Sequence, residues 1–337
     1  MTVLLTVLAV LFAFSMGAHY TGACMGMPHA LGAISAWRAL LVMAPLALVG
    51  ATVASHGVEH TVGHGLLTGT GLSVTELVVV IGVALALTSA FNALRVPTST
   101  IQILVFTVVG VGLSAGVGVH WATIGTLAII WSCAPVVAAG LGFALTRLLD
   151  LVPTPALQAG AAGPSEPSAG VPAAGPGVLA TGVLAAGPLG AGLVAIGALA
   201  SFTMGSNDVA NATGSLVATD TFSPLVAGLV GGLGLAAGVL TWGRPLLRKV
   251  AFDVVTVDRP MAAAAQLVQA VVVLVAVAFG LFTSMNQALI GAMAGAAAAR
   301  GRDTIRRGTV YGILAGWLIG PAAGIALGYA VTRLVRA

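Results

Sequence analysis

Long apolar stretches separated by short polar connections make up most of this chain. Ten can be drawn, near residues 3–31, 37–54, 74–93, 97–117, 121–148, 180–217, 224–243, 261–281, 283–299 and 308–333. Most approach the roughly 20 apolar residues that a helix needs to span a bilayer. The alternating pattern of a transmembrane barrel does not occur in the sequence. The pattern therefore predicts an all-α membrane protein with about ten transmembrane segments.

The composition points the same way. Only 7% of the residues are charged and 58% are hydrophobic, whereas about a quarter of a soluble domain is charged. Polar side chains are too few to cover a soluble globule of 337 residues, so lipid must solvate much of the surface. The 46 glycines suit helices that pack closely within a bilayer.

A segment of different composition divides the chain into two halves. Residues 151–177 are rich in Pro, Ala, Gly and Ser, and Glu166 is their one charge. Such a segment cannot form a packed core, so it predicts a flexible cytoplasmic linker. The predicted units are a first repeat at 1–148, a linker at 149–178 and a second repeat at 179–337.

The two halves share short motifs in the same order. Phe-Ser-Met-Gly at 14–17 matches Phe-Thr-Met-Gly at 202–205, and the polar turn at 97–102 matches the one at 283–287. Five crossings per half is an odd number, so the second copy lies upside down relative to the first. The sequence therefore predicts two inverted five-segment repeats with broken helices at the centre.

The basic residues predict the orientation in the membrane. With the linker in the cytoplasm, 11 of the 13 Lys and Arg residues fall on the cytoplasmic side, and only Arg333 and Arg336 fall outside. Both termini are then external in the cytoplasmic membrane. Because the basic residues are dispersed among connections, they do not indicate a nucleic-acid partner.

A polar cluster at 205–215, Gly-Ser-Asn-Asp-Val-Ala-Asn-Ala-Thr-Gly-Ser, lies within an apolar stretch. A carboxylate at that depth costs at least a few kcal/mol unless a proton, a cation or a basic residue compensates it, and no Lys or Arg is near Asp208 in sequence. Gly205 and Gly214 permit the helix to break, which would free carbonyl groups for a cation. The alternative is a polar cluster that only ties helices together. The predicted coupling-ion site consists of Asn207, Asp208 and Asn211.

The turns at 97–102 and 283–287 each precede a Gly-rich apolar run, as in a discontinuous helix whose N-terminus points into the membrane. Free N–H groups at such an end suit an anion. The alternative is a pair of ordinary helix caps at the membrane surface. The predicted substrate-binding residues are Ser99, Thr100, Gln102, Ser284, Asn286 and Gln287.

The spacing of His56, His60 and His64 would align them on a helix, where they could bind a metal. The nearby Gly57 and Gly63 argue against a stable helix, so we predict a solvated external loop. No cofactor is expected, and Na⁺ at Asp208 is the only metal ion considered.

These motifs resemble those of the inorganic phosphate transporter (PiT) family. Residues 205–212 are similar to its Gly-x-Asn-Asp-x-Ala-Asn-Ala signature, and residues 97–112 to its Pro-Val-Ser-Thr-Thr-His-Ala-Leu…Gly-x-Gly element, with a second copy at 284–291. The resemblance covers nearly the whole chain. It implies cation-coupled phosphate symport, inverted repeats around a central site and often a homodimer.

The first repeat departs from the family pattern. Tyr20 stands where the family has an acid, and Ala23 where it has the second Asn. The Thr-His positions hold Ile101-Gln102 in one copy and Asn286-Gln287 in the other. The degenerate first copy is similar to the sulfate permease branch of the same family. We therefore predict a phosphate symporter coupled to Na⁺ or H⁺, with sulfate or a related oxyanion as the alternative substrate.

Two other classes of protein are considered. A channel would use the same uncharged donors without an occluded acid. An intramembrane hydrolase needs a nucleophile with a base in reach, and no motif pairs Ser, His and Asp in this way. No Walker A motif is present in the sequence either. The prediction is a transporter and not an enzyme.

Overall fold

The computed structural model describes residues 1–69, 71–94, 98–151, 187–247, 258–301 and 307–337. The first half contains α1 (Thr2–His19), α2 (Thr21–Ala30), α3 (Ala36–Val53), α4 (His56–His64), α5 (Val74–Leu94), α6 (Thr100–Ala115) and α7 (Trp121–Asp150). The second contains α8 (Gly187–Ala218), α9 (Pro224–Trp242), α10 (Arg244–Leu247), α11 (Arg259–Ala278), α12 (Met285–Ala299) and α13 (Arg307–Arg336). The predicted linker lies, apart from its first residues, outside the described residues.

Within the described part of the chain, eight helical stretches are long and apolar enough to cross a membrane. They are α1 with α2, α3, α5, α7, α8, α9, α11 and α13. The other two apolar helices are shorter, since α6 has 16 residues and α12 has 15. Helices satisfy their own backbone hydrogen bonds, which lipid cannot do. The all-α, multi-pass prediction is confirmed, and the count of ten crossings stays a prediction.

The first apolar stretch of the first half is interrupted, whereas its counterpart in the second half is continuous at the place where a break was predicted. α1 ends at His19 and α2 begins at Thr21, with Tyr20 between them. α8 is continuous through Gly205 and Gly214. The expectation of a break at these glycines is wrong.

Both glycines in α8 allow close packing instead. A Cβ at Gly205 would lie 2.0 Å from the carbonyl oxygen of Ala47, and one at Gly214 would lie 2.6 Å from the Val62 side chain. Contacts this close leave no room for any side chain. Gly205 and Gly214 therefore set the distance between α8 and its neighbours α3 and α4.

Glycines at equivalent positions in the two halves each contact a helix of the opposite half. A Cβ at Gly17 would lie 2.1 Å from the carbonyl oxygen of Leu235 on α9, as Gly205 meets Ala47 on α3. Gly205 follows Gly17 by the same number of positions as Leu235 follows Ala47. The pairs Gly50 with Phe202 and Gly238 with Phe14 repeat this relationship. Small residues let helix backbones approach closely in membranes. α1 therefore packs on α9, and α8 packs on α3.

The segment predicted as a solvated loop is helical. Its three histidines are exposed, but Glu59 between them is completely buried against α8. Gly57 and Gly63, which argued against a helix, let α4 approach other backbones closely. A Cβ at Gly57 would lie 3.0 Å from the Cα of Gly280, and one at Gly63 would lie 2.8 Å from the Gly214 carbonyl oxygen. Tertiary packing thus overrides the low helix propensity of glycine.

Candidate anion and coupling-ion site

The two short helices α6 and α12 begin inside the protein. Ser99 caps α6 by accepting a hydrogen bond of 3.3 Å from the backbone N–H of Gln102. Ser284 caps α12 by accepting one of 3.4 Å from the backbone N–H of Gln287. Both serines are completely buried. They are helix caps, as the simpler alternative proposed, but they lie away from the protein surface.

The two capped turns meet. The Gln287 side chain donates a hydrogen bond of 3.2 Å to the side-chain oxygen of Gln102. Asn286 Nδ2 donates one of 3.0 Å to the carbonyl oxygen of Thr98. The structure therefore brings the six predicted substrate-binding residues into one buried region, and each is at most 8% exposed.

Asn286 keeps a free acceptor in this region. Because the Thr98 carbonyl group can only accept a hydrogen bond, the atom of Asn286 that faces it must be the nitrogen. The Asn286 side-chain oxygen has no hydrogen-bond partner among the described residues, and the same holds for the Gln287 side-chain oxygen. Buried polar atoms usually have partners, so these oxygens indicate a place for a ligand with donors.

Tyr20 joins the break in the first helix to the first turn. Its hydroxyl group lies 2.8 Å from the Thr100 hydroxyl oxygen, and the side chain is completely buried. Tyr20 also lies near the Asp208 carboxyl group. The residue that replaces the family's first acid thus contacts both predicted sites.

His19 connects α1, α5 and both turns. Asn92 Nδ2 donates to the carbonyl oxygen of Ser15 at 3.1 Å, so the Asn92 oxygen accepts from His19 Nδ1. His19 Nε2 lies 3.2 Å from Asn286 Nδ2 and 3.3 Å from the carbonyl oxygen of Thr98, so the ring contacts both turns. The sequence signal for this network is a lone amide, Asn92, in the apolar stretch 74–93.

Asp208 lies completely buried on α8 with an incomplete set of partners. Its Oδ2 accepts a hydrogen bond of 3.1 Å from Asn207, and its Oδ1 has no hydrogen-bond partner among the described residues. The ion pairs found in that part of the chain do not include Asp208. The carboxyl group therefore has space for a proton or a cation.

Asn207 links Asp208 to the second turn. Its side chain donates 3.0 Å to the carbonyl oxygen of Thr283 and accepts 3.2 Å from the backbone N–H of the same residue. One amide thus holds both the acid and the peptide that precedes the Ser284 cap. Asn207 therefore connects the Asp208 carboxyl group to the second turn through two side-chain contacts.

Asn211 lies one turn beyond Asp208 on α8. Its nitrogen approaches the Met16 sulfur at 3.8 Å, and its oxygen has no partner among the described residues. A cavity of about 170 Å³ reaches Asn211 and Ser215 from the exposed His64 side chain. Of the predicted coupling-ion residues, Asn211 therefore lies beside a route towards the surface.

Comparisons with known proteins give consistent results. The phosphate transporter family model matches residues 16–175 and 176–328. The chain is 26% identical over 418 residues to inorganic phosphate transporter 2-1, chloroplastic, of Arabidopsis thaliana, covering 97% of this chain and 71% of that protein. It is 24% identical over 328 residues to sulfate permease CysP of Bacillus subtilis, covering 96% and 85%. The solved structure of a sodium-dependent phosphate transporter has the same fold, with a TM-score of 0.85 and 21% identity over 99% of this chain and 98% of that one.

Proposed function

Because the chain belongs to the phosphate transporter family, we propose that it is a secondary transporter of inorganic phosphate across the cytoplasmic membrane, coupled to Na⁺ or H⁺. The observation that carries the proposal is the meeting of two buried helix N-termini beside an acid without a basic partner among the described residues. The first suits an anion and the second suits a cation, so the two ligands of a symporter have adjacent places.

The anion site lies between the turns capped by Ser99 and Ser284. Each turn provides the N-terminus of a helix, with free N–H groups and the positive end of the helix dipole. Thr100, Gln102 and Gln287 add uncharged hydrogen-bonding groups. Among the described residues of the two turns there is no Lys or Arg, and an uncharged site holds phosphate reversibly, which a transporter requires because it must also release the anion.

The coupling ion binds at Asp208. Asp208 Oδ1 and Asn211 Oδ1 are three positions apart on α8, so they project from the same side of the helix. Both lack partners among the described residues. Carboxylate and amide oxygens are ligands that hard cations prefer. This supports Na⁺, the ion that the name of the structurally similar sodium-dependent phosphate transporter specifies. A proton on Asp208 is the second possibility.

Phosphate is favoured over sulfate by the free acceptor of Asn286. Hydrogen phosphate carries a P–OH donor at neutral pH, and sulfate carries none. The Asn286 oxygen, whose orientation the Thr98 carbonyl group fixes, matches that donor. Binding sites built around a hydrogen bond discriminate strongly against analogues that lack it. Sulfate remains the second candidate because one relative is a sulfate permease.

The proposed topology has two inverted five-segment repeats, at 1–148 and 179–337, with a cytoplasmic linker at 149–178 and external termini. The reciprocal contacts of Gly17 and Gly205 support a two-fold relation. Arg300 pairs with Asp150 at 2.6 Å and with Asp258 at 3.0 Å, which gathers three connections assigned to the cytoplasm. Superposition about an axis in the membrane plane is the expected relation, and a homodimer is the expected assembly.

Uptake into proteoliposomes tests the function. Labelled phosphate and labelled sulfate are offered under an imposed Na⁺ gradient, an imposed H⁺ gradient, or neither. We expect saturable accumulation of phosphate above its equilibrium level under one of the gradients, and much less sulfate uptake. Flux that only equilibrates phosphate would identify a channel. Preferential uptake of sulfate would identify sulfate, the alternative, as the substrate.

A further inference from the structure

Glu59 is a second buried acid, on a different helix from Asp208. It lies in α4 and is completely buried against α8. Its Oε1 lies 2.8 Å from the Thr213 hydroxyl oxygen, and its Oε2 has no hydrogen-bond partner among the described residues. Thr213 is five positions beyond Asp208 on the same helix. The inference below rests on the proposed transport function.

The number of hydrogens available for the contacts of Thr213 indicates whether Glu59 is protonated. The Thr213 oxygen lies 2.8 Å from Glu59 Oε1 and 3.0 Å from the carbonyl oxygen of Val209, but the hydroxyl group has a single hydrogen. If Glu59 is ionised, both neighbours can only accept, and one contact lacks a hydrogen. If Glu59 is protonated, it donates to Thr213, and Thr213 donates to Val209. Only the protonated acid satisfies both contacts.

The unpartnered Oε2 leads to the same conclusion. A carboxylate that is removed from water with one oxygen unsatisfied is strongly disfavoured, whereas a neutral acid costs much less. The helices packed against α4 offer little compensation. α8 carries Asp208 as its ionisable residue, α9 carries none, and α11 carries Arg259 at the end distant from α4. On α4 itself, the three histidines are exposed and lie away from the buried face.

α4 is also placed to expose this acid to water. The cavity that reaches Asn211 from His64 is lined by Val62 and Gly63 of α4 and by Ser215 of α8. The cavity opens about one turn beyond Glu59 on α4, and neither Glu59 nor Thr213 lines it. Separation of α4 from α8 would extend this opening by one turn and expose Glu59 to water.

We propose that Glu59 is a proton-binding site of the transporter, separate from the coupling-ion site at Asp208, protonated while α4 is packed on α8 and deprotonated when α4 moves away from α8 during transport. The proton then passes between the exposed carboxyl group and water. Glu59 thereby links the pH of the solution to the packing of the helix that carries Asp208.

The direction of the pH effect follows from the environment of Glu59. Burial raises the pKa of Glu59 to about 7, although the hydrogen bond from Thr213 lowers it in part. In water the pKa of a glutamic acid is about 4.3. Packing of α4 on α8 is thus fully favoured below the pKa in water and is progressively lost as the pH rises through about 7.

Two measurements on the purified full-length protein test the proposal. Glutamine in Glu59→Gln keeps the shape of the protonated acid and cannot release a proton. Infrared spectroscopy should show a protonated-carboxyl band in the wild type that disappears near pH 7 and is absent from E59Q. The control Glu76→Gln changes a glutamate that Arg336 pairs with at 3.1 Å, and it should keep the band. A wild type without a titrating band that E59Q lacks would overturn the proposal.

The second measurement compares phosphate uptake by E59Q and by the wild type at each pH, because the ratio cancels the ionisation of phosphate itself. We expect a ratio near one below about pH 6 and a fall of at least about threefold by about pH 8, where only the wild type can release the proton. A ratio independent of pH would also overturn the proposal. If neither protein transports phosphate, the proposed function fails, and the infrared band still decides whether Glu59 binds a proton.

Discussion

Gln102 and Gln287, which are 185 positions apart in the sequence, are joined by a hydrogen bond of 3.2 Å between their side chains. Each lies in the first turn of a short helix, three positions after the serine that caps it. This single contact brings the beginnings of α6 and α12 together. The interval between the two turns is the proposed place of the anion.

The Gln102–Gln287 pair should act as a unit in phosphate binding. We expect Gln102→Ala and Gln287→Ala each to weaken phosphate binding, and the double variant to lose less than the sum by about 0.5–1.5 kcal/mol. Isothermal titration with phosphate measures the three affinities. The same cycle between Gln102→Ala and Ser132→Ala, an exposed hydroxyl on α7, should be additive. Additivity for both cycles would separate the two glutamines functionally.

The capping serines should matter for both stability and affinity. Loss of a cap costs about 1 kcal/mol, so Ser99→Ala and Ser284→Ala should each lower the thermal unfolding temperature and raise the KM for phosphate. Ser132→Ala removes a hydroxyl that only bonds to its own helix at the Ala128 carbonyl group, and it should change neither quantity. An unchanged KM in both cap variants would place the anion elsewhere.

Asp208→Asn should abolish accumulation of phosphate against its gradient while leaving membrane insertion intact. Asparagine keeps the shape of the carboxyl group but removes the charge that a coupling cation or proton compensates. Exchange of labelled phosphate across the membrane should persist, because the two turns are unchanged. Proteoliposome uptake and counterflow measure the two activities.

Asp220→Asn is the matched control for this variant. Asp220 follows the end of α8, is exposed, and has a φ of 50°, a conformation that asparagine tolerates well. It should accumulate phosphate like the wild type. Undiminished uphill uptake by Asp208→Asn at equal expression would show that Asp208 has a structural role only.

The glycines at the contacts of α1 with α9 and of α8 with α3 should not tolerate even a methyl group. Gly17→Ala and Gly205→Ala would place a Cβ about 2 Å from a carbonyl oxygen, so each should destabilise the fold by roughly 1–3 kcal/mol or more. Gly82→Ala on α5 meets no atom within 4 Å and should be neutral or slightly stabilising. Thermal unfolding in detergent compares the three. Equal stability of all variants would remove the packing role of Gly17 and Gly205.

The helices were predictable because a bilayer demands long apolar runs. The polar turns were predictable because Ser, Asn and Gln stand out in such a sequence. The break at Tyr20 was not, since Gly17 and Gly22 lie on either side of it but neither stands at the break, and a tyrosine there has no fixed local preference. α4 was missed because its glycines lower helix propensity locally, whereas the contacts of Gly57 with Gly280 and of Gly63 with Gly214 are distant in sequence.

The site was predictable as a set of residues and not as a network. The sequence places Asn207 beside Asp208, but only the folded chain shows that its amide also holds the Thr283 backbone. The segment that contains Glu59 was predicted to be a solvated loop because Gly57 and Gly63 lower its helix propensity. The burial of Glu59 depends on which face of the short helix α4 meets α8. The sequence does not reveal that face, because three of the nine residues of α4 are histidines.

The contacts of Gly17 with α9 and of Gly205 with α3 also limit how this molecule can change shape. A backbone-to-backbone contact has no flexible side chain that could adjust when one helix slides over another. We therefore expect α1 and α9 to move together, and likewise α8 and α3. Each of these pairs combines one helix from the first half of the chain with one from the second. We therefore expect the rigid bodies of a transport cycle to combine helices from both halves, so that the sequence boundary between the proposed repeats is not a boundary of motion.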